Sequence, residues 1–185
     1  KGDNLIFADA DDRAVERGVR QMMDNSGQSC NAPSRMLVER PVYDHAVEIA
    51  AKVASSIKVG PASEPGNHIG PVVNQRQWDQ IQDYIQKGID EGARLVAGGL
   101  GRPDGLNRGF YVKPTVFADV TPGMTIEREE IFGPVLSIIP FDTEQEAIAP
   151  ANNTWAGLAG SVWTADPATA NRVGGQMVCG YVWVN

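Results

Sequence analysis

Three features of the sequence predict an α/β fold in three layers, a largely parallel sheet covered by helices. Short apolar runs of strand length alternate with longer segments whose apolar residues recur at the helical period. Twenty glycines and twelve prolines punctuate the chain often, as many short elements require, and they lack the three-residue period of collagen. The apolar fraction of 42% and charged fraction of 21% are those of an ordinary globular protein, which argues against disorder, and 185 residues suffice to enclose one sizeable core.

The first strand is Leu5-Ile6-Phe7. Asp9 or Asp11 can cap the next helix, since a short carboxylate accepts from the free N–H groups of a first turn; Val15, Val19, Met22 and Met23 form its apolar face, and it ends before Asn25-Ser26-Gly27. Ser34 to Glu39, centred on Met36-Leu37-Val38, is a buried strand. Pro41 opens the clearest helix, striped by Val42, Ala46, Ile49, Ala50, Val53, Ala54 and Ile57 and stopped by Gly60-Pro61. A second strong helix begins near Asn74, with Trp78, Ile81, Ile85 and Ile89 on one face and Gly92 as its terminal glycine. Ala93 to Ala97 is a strand, followed beyond Gly98-Gly99 by a glycine-rich loop to Arg108. Extended segments follow around Phe110-Tyr111-Val112 and Val116-Phe117, and Val135 to Phe141 is a buried strand. Asp142 or Thr143 caps a short helix that Pro150 ends or kinks, Leu158 to Trp163 is a strand, and Asp166-Pro167 starts a helix reaching about Val173.

Charge and cysteine usage narrow the function. Sixteen basic against 23 acidic residues leave a net charge of −7, and the basic ones are scattered, so no phosphate-tracking patch exists and nucleic acid is not the expected partner. No apolar run approaches the roughly 20 residues of a membrane helix, and no signal-peptide core follows Lys1 to Asn4; the chain reads as soluble and cytoplasmic. Cys30 and Cys179 have no paired spacing and no neighbouring His, which disfavours a zinc site or a disulfide framework, and no metal site is expected. The sequence starts without Met, almost on a strand, and stops within the apolar run Tyr181 to Asn185. A piece of a longer protein is the expectation.

Taken alone, Cys30 reads as a small buried hydrophobe. Glu130 reads as one of an acidic run, Glu127, Glu129 and Glu130, on a solvated loop. His45 and His68 read as surface or satisfied polar residues, and Cys179 as core packing. Two segments carry further meaning. Gly27-Gln28-Ser29-Cys30-Asn31-Ala32-Pro33-Ser34-Arg35 resembles the active-site cysteine signature of the NAD(P)-dependent aldehyde dehydrogenase superfamily, and Glu129-Glu130-Ile131-Phe132-Gly133-Pro134-Val135 resembles that family's cofactor-contacting segment. Weaker matches, Phe7 to Asp11, Lys113 to Val116 and Ala151 to Thr164, extend the likeness along nearly the whole chain in the family's order. Trp155, where the family often has Tyr or Phe, and Pro150 depart from its pattern.

The resemblance implies that Cys30 is the catalytic nucleophile. An aldehyde has no electron pair to expel a hydride until a nucleophile adds, and a thiolate both adds readily and leaves a thioester that water cleaves. It implies that the Cys30 backbone N–H is one oxyanion donor, the other being an Asn side chain outside the chain. Glu130 would accept from the nicotinamide-ribose hydroxyls with Phe132 packed beside it, on a cofactor that is NAD or NADP. The resemblance gives Arg35 a structural pairing with a carboxylate near the cysteine loop, and Gln28 a role in shaping that loop.

Residues 1–185 would then be most of a catalytic domain, its cofactor domain upstream and a C-terminal tail downstream. Lys1 resembles the Lys ending the family's Glu-Leu-Gly-Gly-Lys segment, whose Glu is the general base. The substrate is a small-molecule aldehyde, the parent enzyme a homo-dimer or tetramer, and the isolated chain inactive. Two other readings stand beside this one: a non-catalytic homologous module for assembly or partner shielding, and a free-standing cysteine hydrolase, which the lack of a His or Asp placed to activate Cys30 disfavours.

Overall fold

A computed structural model describes residues 1–185. Seven strands form one sheet: β1 (Asp3–Ile6), β2 (Arg35–Glu39), β3 (Arg94–Ala97), β4 (Thr115–Ala118), β5 (Val135–Phe141), β6 (Ala159–Trp163) and β7 (Tyr181–Val184). Their order is β3-β4-β5-β2-β1-β6-β7, and every neighbouring pair is parallel except β3 with β4. The helices are α1 (Arg13–Met23), α2 (Tyr43–Ser56), α3 (Gln75–Asp90), the single turn α4 (Thr125–Arg128), α5 (Glu144–Asn152) and α6 (Pro167–Gly174).

Successive residues of the central strands feed two different cores, because side chains alternate across a sheet. Leu5, Leu37, Val135 and Ile139 pack with Ile81 and Ile85 of α3, Ile148 of α5 and Val173 of α6. Ile6, Met36, Val38, Leu136 and Ile138 face the other way, onto Val15, Val19 and Met22 of α1 and Ala46, Ala50 and Val53 of α2. The predicted three-layer α/β architecture is therefore the observed one.

Several boundaries differ from expectation for local reasons. Asp11 Oδ1 accepts from the Arg13 N–H, whereas Asp9 reaches across to the Thr164 hydroxyl and the Ala165 N–H and so tethers the end of β6. The α2 stripe is turned, with Tyr43 and Val47 buried in place of Val42 and Ile49, and the helix ends at Ser56, before the predicted glycine stop. On α3, Asn74 caps as expected by accepting from the Gln77 N–H, but Ile89 is exposed. Gly88 occupies the contact instead: a Cβ there would lie 3.0 Å from Ile126 and 3.1 Å from Phe117, so the helix approaches the sheet too closely for a side chain. Phe110 to Val112 forms no strand; the Phe110 carbonyl accepts from the Val72 N–H and the Tyr111 carbonyl from the Trp78 indole N–H. Thr143, not Asp142, caps α5, and the helix runs two residues past Pro150.

Candidate active site

The site lies where the chain enters the parallel strands. Strands β5, β2 and β1 are adjacent and run the same way, so the segments that precede them, residues 129–134, 28–34 and 1–2, emerge side by side on one edge of the sheet. Residues about a hundred positions apart in sequence thereby become neighbours. The edge is the N-terminal one, opposite to that where open α/β sheets usually bind ligands.

The Cys30 segment follows a turn of 3-10 helix, Asp24–Gly27, in which three successive residues are left-handed: Asn25 (φ 50°), Ser26 (φ 55°) and Gly27 (φ 71°). Such backbone is costly for residues other than glycine and persists only when its surroundings hold it. Here the Asn25 amide donates to the Gln28 carbonyl and the Gln28 amide donates back to the Asn25 carbonyl. Gln28 Oε1 also accepts from the Val73 N–H at 2.9 Å, and the Ser26 hydroxyl donates to the Gly70 carbonyl at 2.6 Å. The Gln28 side chain thus shapes the loop through two backbone partners, the Asn25 carbonyl and the Val73 N–H. Cys30 stands exposed beyond it.

The segment carrying Glu130 and Phe132 leaves α4 and turns into β5. Phe132 is left-handed (φ 54°), an uncommon state for a bulky residue, and the Gln77 amide donates to both the Ile131 and Phe132 carbonyls, at 3.0 and 2.9 Å. With its backbone held in this way Phe132 is 38% exposed, and the Glu130 side chain is 37% exposed. The two segments touch at a pair of glycines. A Cβ on Gly27 would lie 2.2 Å from the Gly133 carbonyl oxygen, and one on Gly133 would lie 2.4 Å from Ile81. The cysteine loop rests directly on the Glu130–Pro134 turn, with no side chain between them. Gly2 completes the junction: a Cβ there would meet the Ala32 carbonyl oxygen at 2.6 Å.

Beneath the exposed residues lies a buried charge cluster. Arg35 is fully buried; its Nε and Nη2 approach the two Asp3 carboxylate oxygens at 2.8 and 2.9 Å. Its Nη1 donates to Glu127 Oε1 at 3.1 Å and to the Pro150 carbonyl at 2.8 Å, near the C-terminal end of α5, where a cation is favoured by the helix dipole. The Lys1 ammonium donates to the Ile126 carbonyl at 2.6 Å. Burial pushes the Asp3 carboxyl up to about 7 against the opposing pull of Arg35. Burial, and then the neighbouring Arg35 cation, lowers Lys1 to about 8. Glu127, taken from sequence as part of a solvated acidic run, is instead only 1% exposed, on α4. Nothing in its local sequence distinguishes it from Glu129; its burial comes from Arg35 across the sheet edge. Gln77 was equally silent, its amide masked by the cap and stripe pattern of α3.

His45 pairs with Asp12 and His68 with the Pro61 carbonyl, so neither imidazole engages Cys30. No group of three or more His, Cys, Asp or Glu side chains is placed to hold a metal ion, and no helix is long and apolar enough to cross a membrane. Cys179 packs against the edge of the core, as expected, but from outside any strand. It lies half-buried in the turn before β7, its thiol donating to the Tyr181 carbonyl. Burial and the nearby Asp3 carboxylate raise that thiol above its ordinary range. Iodoacetamide is expected to label exposed Cys30 about tenfold faster than Cys179 at neutral pH, since the thiolate fraction and access set the rate. Peptide mapping of a time course reads this directly, and equal or faster labelling of Cys179 would contradict it.

The geometry is shared with known proteins over the entire chain. The profile of the aldehyde dehydrogenase family matches residues 1–185. The chain belongs to the aldehyde dehydrogenase family. Among its relatives, the 3-succinoylsemialdehyde-pyridine dehydrogenase of a Pseudomonas species is 46% identical over all of the chain and 39% of its own length. An aldehyde dehydrogenase crystal structure from Bartonella henselae is 57% identical, with a TM-score of 0.98 over 100% of this chain and 39% of that one. A cysteine-to-alanine mutant of aldehyde dehydrogenase C from Pseudomonas syringae, solved with NAD+ and octanal, is 43% identical with a TM-score of 0.97 over 100% of this chain and 38% of that one. The chain thus spans about 39% of the length of the curated aldehyde dehydrogenases it matches.

Proposed function

We propose that the chain is the nucleophile-bearing part of an NAD(P)-dependent aldehyde dehydrogenase, with Cys30 as the catalytic thiol and Glu130 and Phe132 as contacts for the nicotinamide end of the cofactor. The Gly27–Gly133 contact carries this reading, because it seats the Cys30 loop on the turn that follows Glu130 and Phe132. A partly exposed carboxylate two residues from an exposed aromatic side chain, on backbone close-packed by glycines, suits a ribose diol and a flat heterocycle.

Cys30 as thiolate adds to the aldehyde carbon, and the carbonyl electron pair moves onto oxygen. In this reading the backbone N–H of Cys30 donates to that oxyanion. Bound at Glu130 and Phe132, the oxidised nicotinamide supplies the acceptor for the hydride that the tetrahedral carbon releases. A thioester remains on Cys30, and water cleaves it to the carboxylic acid and free thiol. An activated ester reaches the same thioester by expelling its alcohol, with no cofactor involved. Glu130 orients rather than reacts: two carboxylate oxygens can accept from both ribose hydroxyls and hold the ring over the reacting carbon. The general base and the adenosine site belong, in this reading, to a domain upstream of Lys1.

Glu130→Gln in the full-length enzyme is expected to slow single-turnover hydride transfer about ten- to hundredfold, because an amide can accept at only one atom and the ring wanders from its reactive pose. Rapid-quench or stopped-flow measurement of the first turnover tests this. A wild-type first-turnover rate would remove Glu130 from the site.

A further inference from the structure

Glu130 lies two residues beyond the end of α4, and α4 cannot hold itself in place. A single helical turn of four residues has no independent stability, since fixing its backbone costs more than its hydrogen bonds return. Its position is set by side chains that reach it from elsewhere. Glu91 accepts from the Thr125 N–H and hydroxyl, and the Ile126 carbonyl accepts from Lys1 and from the Ser137 hydroxyl. Glu127 is gripped at both oxygens, Oε1 by Arg35 and Oε2 by the Gly123 N–H at 3.1 Å.

Arg35 differs from the other anchors in what lies at its far end. It is the first residue of β2, five positions after Cys30, and its main-chain N–H donates to the Gly2 carbonyl. The chain from Cys30 to Arg35 is short and turned, with the Ala32 N–H donating to the Ser29 carbonyl and the Ser34 N–H to the Ala32 carbonyl. From Cys30 through Arg35 and Glu127 to Glu130 there are thus two short stretches of backbone joined by one buried ion pair. Asp3 grips the same guanidinium from the other side with two close contacts. A buried pair of this kind is a poor source of stability, because desolvation consumes most of the attraction and apolar residues of equal volume do as well. Its use lies in geometry: a fork of fixed shape, locked by Asp3, admits one position for the Glu127 carboxylate.

We propose that the buried Arg35–Glu127 pair is a positioning element that sets the Glu130 ribose contact relative to the Cys30 thiol, with Asp3 holding Arg35 in register. The proposal rests on the reading of Glu130 given above. Neither residue touches the reacting atoms. Their loss acts through the pose of the nicotinamide, so it must weaken hydride transfer more than it weakens a reaction that needs Cys30 alone.

Glu127→Gln in the full-length enzyme is the appropriate probe. It is isosteric, and it leaves Arg35 with Asp3 as counter-ion and the Pro150 and Ala151 carbonyls as partners, whereas truncating Arg35 would strand two buried carboxylates. The ratio of single-turnover hydride transfer to ester hydrolysis is expected to fall about tenfold or more, with a rise in the KM for NAD(P)+, as for a small misplacement originating away from the chemistry. Glu127→Asp, which keeps the charge but shortens the reach to Arg35, should lower the ratio likewise and serves if the Gln variant fails to fold. An unchanged ratio, whether both activities match the wild type or fall together, would overturn the proposal, since a merely structural support loses both in proportion to the folded fraction. Glu130→Gln is measured alongside. An unchanged ratio there would overturn the ribose reading and this proposal with it, whereas a reduced ratio in Glu130→Gln and an unchanged one in Glu127→Gln would overturn the proposal alone.

Discussion

Cys30→Ala in the full-length enzyme is expected to abolish aldehyde oxidation and ester hydrolysis together, each by a factor on the order of 10⁴ or more. The two reactions share the acyl-thioester but only oxidation needs the cofactor, so a substitution at the thiol that removes both points to the shared nucleophile. Hydride release from an aldehyde needs the tetrahedral adduct first, and no other exposed thiol stands on the Cys30 loop to form it. Cys179, the other thiol, is half-buried and held toward the Tyr181 carbonyl with its thiol form favoured. Initial rates of NAD(P)H formation and of chromogenic ester cleavage, on protein shown to be folded, give the result. Retention of either activity above about one part in a hundred, against the loss expected for a nucleophile, would move the covalent step off Cys30. Retention of ester cleavage alone would place the covalent step of that reaction elsewhere and separate the two mechanisms.

Gly27→Ala is the substitution expected to damage the fold and the site most for the fewest atoms. Two costs add at this position. A left-handed φ of 71° costs an L-residue about 1–2 kcal/mol, and the new methyl would sit 2.2 Å from the Gly133 carbonyl oxygen, which is backbone and cannot rotate away. The cysteine loop and the Glu130–Pro134 turn must separate, for a total expected near 3 kcal/mol or more. Gly101→Ala supplies the comparison, since Gly101 is left-handed at φ 82° but has open space where its Cβ would go. Its cost should be the backbone part alone, about 1 kcal/mol. Urea unfolding of the two variants against the parent chain separates strain from collision. Equal destabilisation by both would show that the two loops are not close-packed at Gly27.

Much of the layering was legible in the sequence because it depends on period and punctuation, which are local. The stripes of α1 and α3, the Asn74 and Asp166 caps and the apolar runs of β2 and β5 all lie within a residue or two of where they were expected. Where the sequence misled, a neighbour distant along the chain overrode the pattern. Ile89 fits the stripe of α3 but gives way to Gly88, because Ile126 and Phe117 leave no room for a side chain. Asp9 fits a cap but is claimed by Thr164. Phe110 to Val112 has strand composition, yet no strand is beside it with which to pair.

The sequence by itself determined the alternation of strands and helices, the family through the segments around Cys30 and Glu130, and hence which side chains are candidates for the chemistry. It could not place those candidates together, since about a hundred residues separate them and no local rule relates the two segments. That was decided by the order β5-β2-β1, which brings the segments entering three parallel strands to one edge. The same packing turned Glu127 from a surface charge into the buried partner of Arg35 and made Gly27 and Gly133 a backbone contact. Burial and close approach are properties of what lies across the sheet, and a residue's own neighbours in the chain do not specify them.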